Sequence, residues 1–171
     1  MTNLSEKQIA QHIKDIEVLG YTHLPGHLAP KTLTDARNRL DEANKETQGS
    51  FYPGFTEDRP DDKIVLNLQN KNKLFIDLLG DPVIERIVMP FINDKYYDQL
   101  PPDVPNYVLS DYIARVSGEH LPLHIDSWIP VPGHRTWMMQ VAIALQDRNE
   151  ADGCTTLVPA SHLSGDYTDR A

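Results

Sequence analysis

"GEHLPLHIDSWIP", residues 118–130, places two histidines, two carboxylates and a tryptophan in a run that otherwise reads as a strand. Side chains of a strand alternate between faces, so residues two apart point the same way. His124 and Asp126 therefore share a face, as do His120 and Trp128. An imidazole beside a carboxylate on one rigid segment supplies two of the three ligands of a 2-His-1-carboxylate metal site. Such a site holds iron(II) on one octahedral face and leaves positions open for exchanging ligands. The pair alone does not decide the matter. With 7 His and 17 Asp in the chain, His-x-Asp is expected about 0.7 times by chance, and a satisfied surface couple on an edge strand has the same signature. The rest of the sequence has to discriminate.

A chain of 171 residues, 40% hydrophobic and 24% charged, has the length and composition of one globular domain with a real core. Its formal charge of -9 argues against nucleic acid or an anionic membrane as the main partner, since both would repel it. No run approaches the ~20 apolar residues of a membrane span. The opening "MTNLSEKQIAQHIKD" lacks the apolar core of a secretory signal. Cys154 is the single cysteine, which excludes an internal disulfide and fits a reducing, cytoplasmic setting.

The first hundred residues read as helical. Ser5 and Gln8 form a capping-box pair, Ile9, Ile13 and Ile16 share a helical face, and Gly20 is the stop. "YTHL" (21–24) is a short strand candidate. Pro30 opens a second helix whose buried stripe is Leu33, Ala36, Leu40 and Ala43. Residues 47–62, "TQGSFYPGFTEDRPDD", are an excursion loop. A third helix over "NKNKLFIDLL" closes at Gly80. Asp81-Pro82 then caps a fourth, with Ile84, Ile87, Val88 and Phe91 inward. "LPPDVPN" (100–106) breaks this pattern. Beyond it the periodicity alternates, and "YVLSDYIARVS", "HLPLHIDSW", "TWMMQVAIAL" and "CTTLVP" are strand candidates, separated by "VPGHR" and "DRNEADG" turns. Helices followed by strands predict an α+β fold, a mostly antiparallel sheet backed by helices.

Three ordered pieces of the second half, "HLPLHIDSW", "VAIALQDRNEADG" and "CTTLVPASHL", resemble the phytanoyl-CoA dioxygenase family of iron(II)/2-oxoglutarate-dependent oxygenases. The family's apolar strand, Leu-x-Asp-type turn, Asn/Asp-Gly and "v-P-G-S-H" become Leu145-Gln146-Asp147, Asp152-Gly153 and Val158-Pro159-Ala160-Ser161-His162. Ala160 departs from the usual glycine. The opening "IEVLGYTHLPGHLAPKTLTDARNRLDEAN" is also similar to the family's helix, short strand and second helix.

The resemblance implies a double-stranded β-helix, a jelly-roll or cupin-like barrel, with the N-terminal helices packed on its major sheet. Residues 1–171 are then a single oxygenase-like domain, with 1–105 mainly helical and 106–171 the first half of the barrel. "TWMMQVAIAL" is apolar on both faces, as helices on one side and a barrel interior on the other require. The smaller row, with Gln140, is turned toward the cavity. The function implied is hydroxylation of a small molecule with O₂, iron(II) and 2-oxoglutarate, His124 and Asp126 being metal ligands. Asp126 favours hydroxylation over halogenation, in which relatives replace the carboxylate by a small residue. Gln140 and Tyr112 are candidate 2-oxoglutarate contacts and Trp128 a candidate substrate wall. Core roles are the competing reading for Tyr112 and Trp128.

The family's second histidine and its arginine for 2-oxoglutarate follow the "P-G-S-H" turn and have no counterpart here. His162 lies in the turn and is expected to support backbone, and His120 to be an exposed neighbour. The expectation is an N-terminal portion whose C-terminal return strands are missing, with open edges available to self-association or a complementing chain. A catalytically inactive relative, acting as a binding or assembly module, is the alternative. A cupin-like isomerase or sugar-binding protein shares the barrel but not the quoted motifs.

Overall fold

Helix α1 (Glu6–Leu19) starts and stops where its own residues dictate. The Ser5 hydroxyl accepts from the Gln8 N–H, and the Gln8 side-chain oxygen accepts from the Ser5 N–H at 3.0 Å. Gly20 ends the helix in the left-handed region, φ 85°, and its N–H donates to the Ile16 carbonyl at 2.9 Å. The computed structural model describes residues 3–47, 63–93, 100–101, 103–118, 120–126 and 136–164. Within these, α2 spans Pro30–Thr47, α3 Lys73–Leu79 and α4 Pro82–Ile92. Short strands β1 (Lys63–Val65) and β2 (Ala114–Ser117) pair antiparallel, with a bulge between Lys63 and Ile64. Three single 3₁₀ turns lie at Leu68–Asn70, Glu150–Asp152 and Ser161–Leu163.

Two apolar clusters hold these elements. Ile9 of α1 is buried with Val83 and Ile87 of α4, flanked by Ile13 and Ile16. The surface pair Arg86–Glu6 joins the same two helices. In the larger cluster, Ala36, Leu40 and Ala43 of α2 pack with Val65, Leu68, Phe75 and Leu78. Onto it settle Tyr112, Ala114, Val116, Ile143 and Leu145, so the helices do back the sheet-side chain. Both Ile64 and Val65 are buried. Successive strand residues face opposite ways, so β1 is covered on both sides.

Between the clusters sits a buried polar junction. Asp81 is the N-cap of α4, where its Oδ1 accepts from Val83 N at 2.9 Å and Ile84 N at 3.3 Å. Its Oδ2 accepts from His27 Nε2 at 2.6 Å. Asp81 is 1% and His27 7% exposed. A polar pair this deep is tolerable because imidazole and carboxylate partner each other. One carboxylate thus fixes both the start of α4 and the loop between α1 and α2.

Against the sequence expectation, the four helices stand at the proposed places, with Val83 buried on α4 in addition to Ile87 and Val88. The strands do not. Residues 21–24 form no strand, and of "YVLSDYIARVS" only Ala114–Ser117 does. Among the described residues, 120–126, 136–145 and 154–159 form no ladder, and the sheet has two strands. A strand needs a neighbour to take its N–H and C=O groups, a requirement that alternation does not meet by itself. The helices-plus-sheet composition stands, while the described residues do not form a closed jelly roll. β1 had no counterpart in the reading of the sequence. The "DRNEADG" turn is present: Asn149 accepts from Ala151 N at 2.9 Å and Gly153 has φ 70°. Residues 48–62 of the excursion loop and the "VPGHR" turn lie outside the described residues.

The motif around Ala160 reaches back to α1. Ala160 N–H donates to the Leu19 carbonyl at 2.8 Å, and His162 Nε2–H donates to the Glu17 carbonyl at 3.2 Å. Ala160 adopts φ 62°, a region that costs an L-residue about 1–2 kcal/mol and that glycine would adopt without that cost. A Cβ on Gly20 would lie 2.5 Å from His162 Nδ1. Gly20→Ala should therefore lose more than the about 1–2 kcal/mol of backbone strain alone in urea unfolding. Adding His162→Ala should recover only the steric part. Asp81→Ala should cost about 2–4 kcal/mol, from a lost cap and a buried imidazole N–H without an acceptor. Asp81→Asn, which keeps a capping oxygen, should cost less.

Candidate functional site

The chain leading to His124 and Asp126 is anchored on the helical layer up to β2. Asn93, at the end of α4, donates from Nδ2 to the Val104 carbonyl at 3.2 Å and accepts from Asn106 N at 3.1 Å. This side chain clamps the proline-rich linker. Leu68 N–H then donates to the Tyr112 carbonyl at 3.0 Å, and β2 pairs with β1 immediately afterwards. A few residues on, the chain bends at Leu123 and again at Asp126.

Within that bend the two proposed ligands meet. His124 Nε2 lies 3.2 Å from Asp126 Oδ1, the side chains being 50% and 45% exposed. The other ring nitrogen, Nδ1, lies 2.7 Å from the Pro122 carbonyl oxygen. Both ring nitrogens thus face oxygen acceptors, whereas a neutral imidazole carries one N–H. A carbonyl only accepts, so the short Nδ1 contact places the hydrogen on Nδ1. In the neutral ring Nε2 then carries the lone pair beside a carboxylate oxygen, whereas in the protonated ring it donates to that oxygen. Two electron-rich donor atoms side by side are what a cation needs. Ligand atoms about 2.1–2.2 Å from one cation and at right angles about it lie about 3.0–3.1 Å apart. The donor set and its spacing fit a divalent metal.

The pair meets at the spacing that a strand would have provided, though the segment carrying it is not part of a ladder. Other sequence candidates are placed elsewhere. Among the described residues, no third His, Cys, Asp or Glu completes a metal-binding group. His120 is exposed, and His162 is engaged at the end of α1. Gln140 is exposed, as are Ala142 and Ala144, while Ile143 and Leu145 of the same segment pack on the helical core. Arg37 fastens this segment by donating from Nε to the Leu145 carbonyl at 3.2 Å. Tyr112 packs edge-on against Phe75, ring centroids 6.2 Å apart, and burial raises its phenol pKa, keeping the hydroxyl in the donor form. Trp128 lies outside the described residues. The Pro122 carbonyl was not singled out by sequence. Every residue has a carbonyl, and only the bend selects this one.

A groove on the opposite, helical side, of about 440 Å³, is lined by Lys31, Asp35, Asn38, Arg39, Glu42, Asn72 and Leu74. Its charges are matched by the Lys31–Asp35 and Arg39–Glu42 pairs, which leaves no net charge directed at a ligand.

In comparisons with known proteins, the family model described as Phytanoyl-CoA dioxygenase (PhyH) matches residues 16–171. No curated protein and no solved structure matches the chain. No helix among the described residues is long and apolar enough to cross a membrane.

Half-exposed site residues should be dispensable for folding. His124→Ala and Asp126→Ala should each change unfolding free energy by less than about 0.5–1 kcal/mol. Tyr112→Ala, which empties part of the core, should cost about 3 kcal/mol in the same urea titration.

Proposed function

The chain belongs to the phytanoyl-CoA dioxygenase family, and on that premise we propose that it acts as an iron(II)/2-oxoglutarate-dependent oxygenase hydroxylating a small molecule. The observation that supports this reading is the 3.2 Å approach of His124 Nε2 to Asp126 Oδ1, with Nδ1 turned to the Pro122 carbonyl at 2.7 Å. When bound, iron(II) with 2-oxoglutarate supplies the oxidising power for attack on a C–H bond.

The residues of this chain bind, orient and shield. His124 and Asp126 would hold the metal, together with a third ligand from outside the described residues. Gln140 lies on the exposed row opposite Ile143 and Leu145, the side assigned to the barrel cavity. Its role in this reading is to hydrogen-bond the cosubstrate. Tyr112, a neutral phenol whose pKa burial raises further, is the candidate donor to the same group or to substrate, and Trp128, outside the described residues, is the candidate substrate wall. The architecture accompanying this chemistry is the double-stranded β-helix of the family, with the helical layer on one sheet. Val108, at 88% exposure, together with Leu123, Ile125, Trp137 and Val141, is exposed among the described residues. In the complete barrel such side chains become its covered interior or edge.

The same apolar exposure, with two ligands gathered rather than three among the described residues, also favours a second reading. This is a catalytically silent relative that uses the open face for assembly, with itself or a complementing chain.

Anaerobic addition of iron(II) and 2-oxoglutarate to the protein should give a weak visible charge-transfer band that His124→Ala and Asp126→Ala both abolish. Admitting O₂ should release succinate. A folded protein with no band and no succinate, but concentration-dependent self-association by sedimentation, would establish the second reading instead.

A further inference from the structure

The bend around His124 holds one more functional element, and it is a backbone atom. His124 Nδ1 lies 2.7 Å from the carbonyl oxygen of Pro122, two residues earlier in "HLPLHID". Proline fixes its own φ near −65° and restricts the residue before it to extended conformations. Leu121 and Pro122 therefore enter the bend with little backbone freedom, and the carbonyl is aimed before any ligand arrives. Metal-bound histidines generally donate their second ring N–H to such an acceptor, which fixes the tautomer and the ring orientation.

We infer that Pro122 is a positioning residue for the metal centre: its carbonyl accepts from His124 Nδ1–H and so locks the ring with the Nε2 lone pair beside Asp126. The inference rests on the oxygenase reading for its purpose, while the tautomer it specifies is a property of the metal-free chain. Without the lock, the ring can turn its N–H toward Asp126. The carboxylate then takes that hydrogen, and the pair satisfies itself instead of a metal.

The test is ¹⁵N NMR of the imidazoles in histidine-labelled, metal-free protein at mildly alkaline pH. The His124 signals are assigned by their loss in His124→Gln. The expected spectrum has Nδ1 protonated and Nε2 bare, and zinc, a redox-inert probe for iron(II), should move the Nε2 resonance. Pro122→Gly keeps a carbonyl but releases φ. It should yield a mixture of tautomers and weaken zinc binding about 10- to 100-fold, with Pro122→Ala between it and the wild type. A wild-type His124 protonated on Nε2 overturns the inference, and so does a Pro122→Gly tautomer identical to wild type. An Nδ1–H tautomer that shifts in Pro122→Gly, in a wild-type chain that takes up no zinc, upholds the positioning and overturns the metal reading alone.

Discussion

The hydrogen bond between His27 and Asp81 is the constraint on which the rest of the described fold is arranged. Asp81 caps α4 with one oxygen and receives the imidazole with the other, at almost complete burial. Helix α4 packs on α1, the His27 loop leads into α2, and α2 forms the floor under β1 and the sheet-side segments. A buried carboxylate without both partners would be costly, so the three helices are coupled through one side chain.

The candidate centre obeys the opposite logic. His124 and Asp126 are half exposed and touch no core cluster, so packing does not hold them together. Local backbone geometry does: a proline, a bend and a carbonyl acceptor two residues away. Two acceptors facing one imidazole leave a neutral ring one N–H short, a deficit that either a proton or a metal cation on Nε2 would make good. Fold stability and site chemistry are thus carried by separate residues.

Attachment of the sheet side depends on a few long-range contacts. Asn93 grips the linker, Leu68 binds the Tyr112 backbone, Arg37 holds Leu145, and the turn at Ala160 returns to the end of α1. These anchor the inner row of the 136–145 segment, where Ile143 and Leu145 pack down, and leave Trp137, Val141 and Gln140 outward.

What the residues determined alone is what neighbours in sequence settle between themselves. Ser5 with Gln8, Gly20, Asp81 before Pro82, and the buried stripes of α1 and α2 are local patterns, and the structure holds them where they were read. The closeness of His124 and Asp126 is local too. It was therefore legible, although a bend rather than a paired strand delivers it. Tertiary structure alone decided the partner of Asp81, 54 residues away at His27, and the pairing of Lys63–Val65 with Ala114–Ser117. It also decided the seating of His162 over Gly20 and which alternating segments acquire a ladder. Strand pairing and buried hydrogen bonds need two distant stretches to meet. Alternation marks a segment as able to pair without saying with what, because the second half of each such interaction lies elsewhere in the chain.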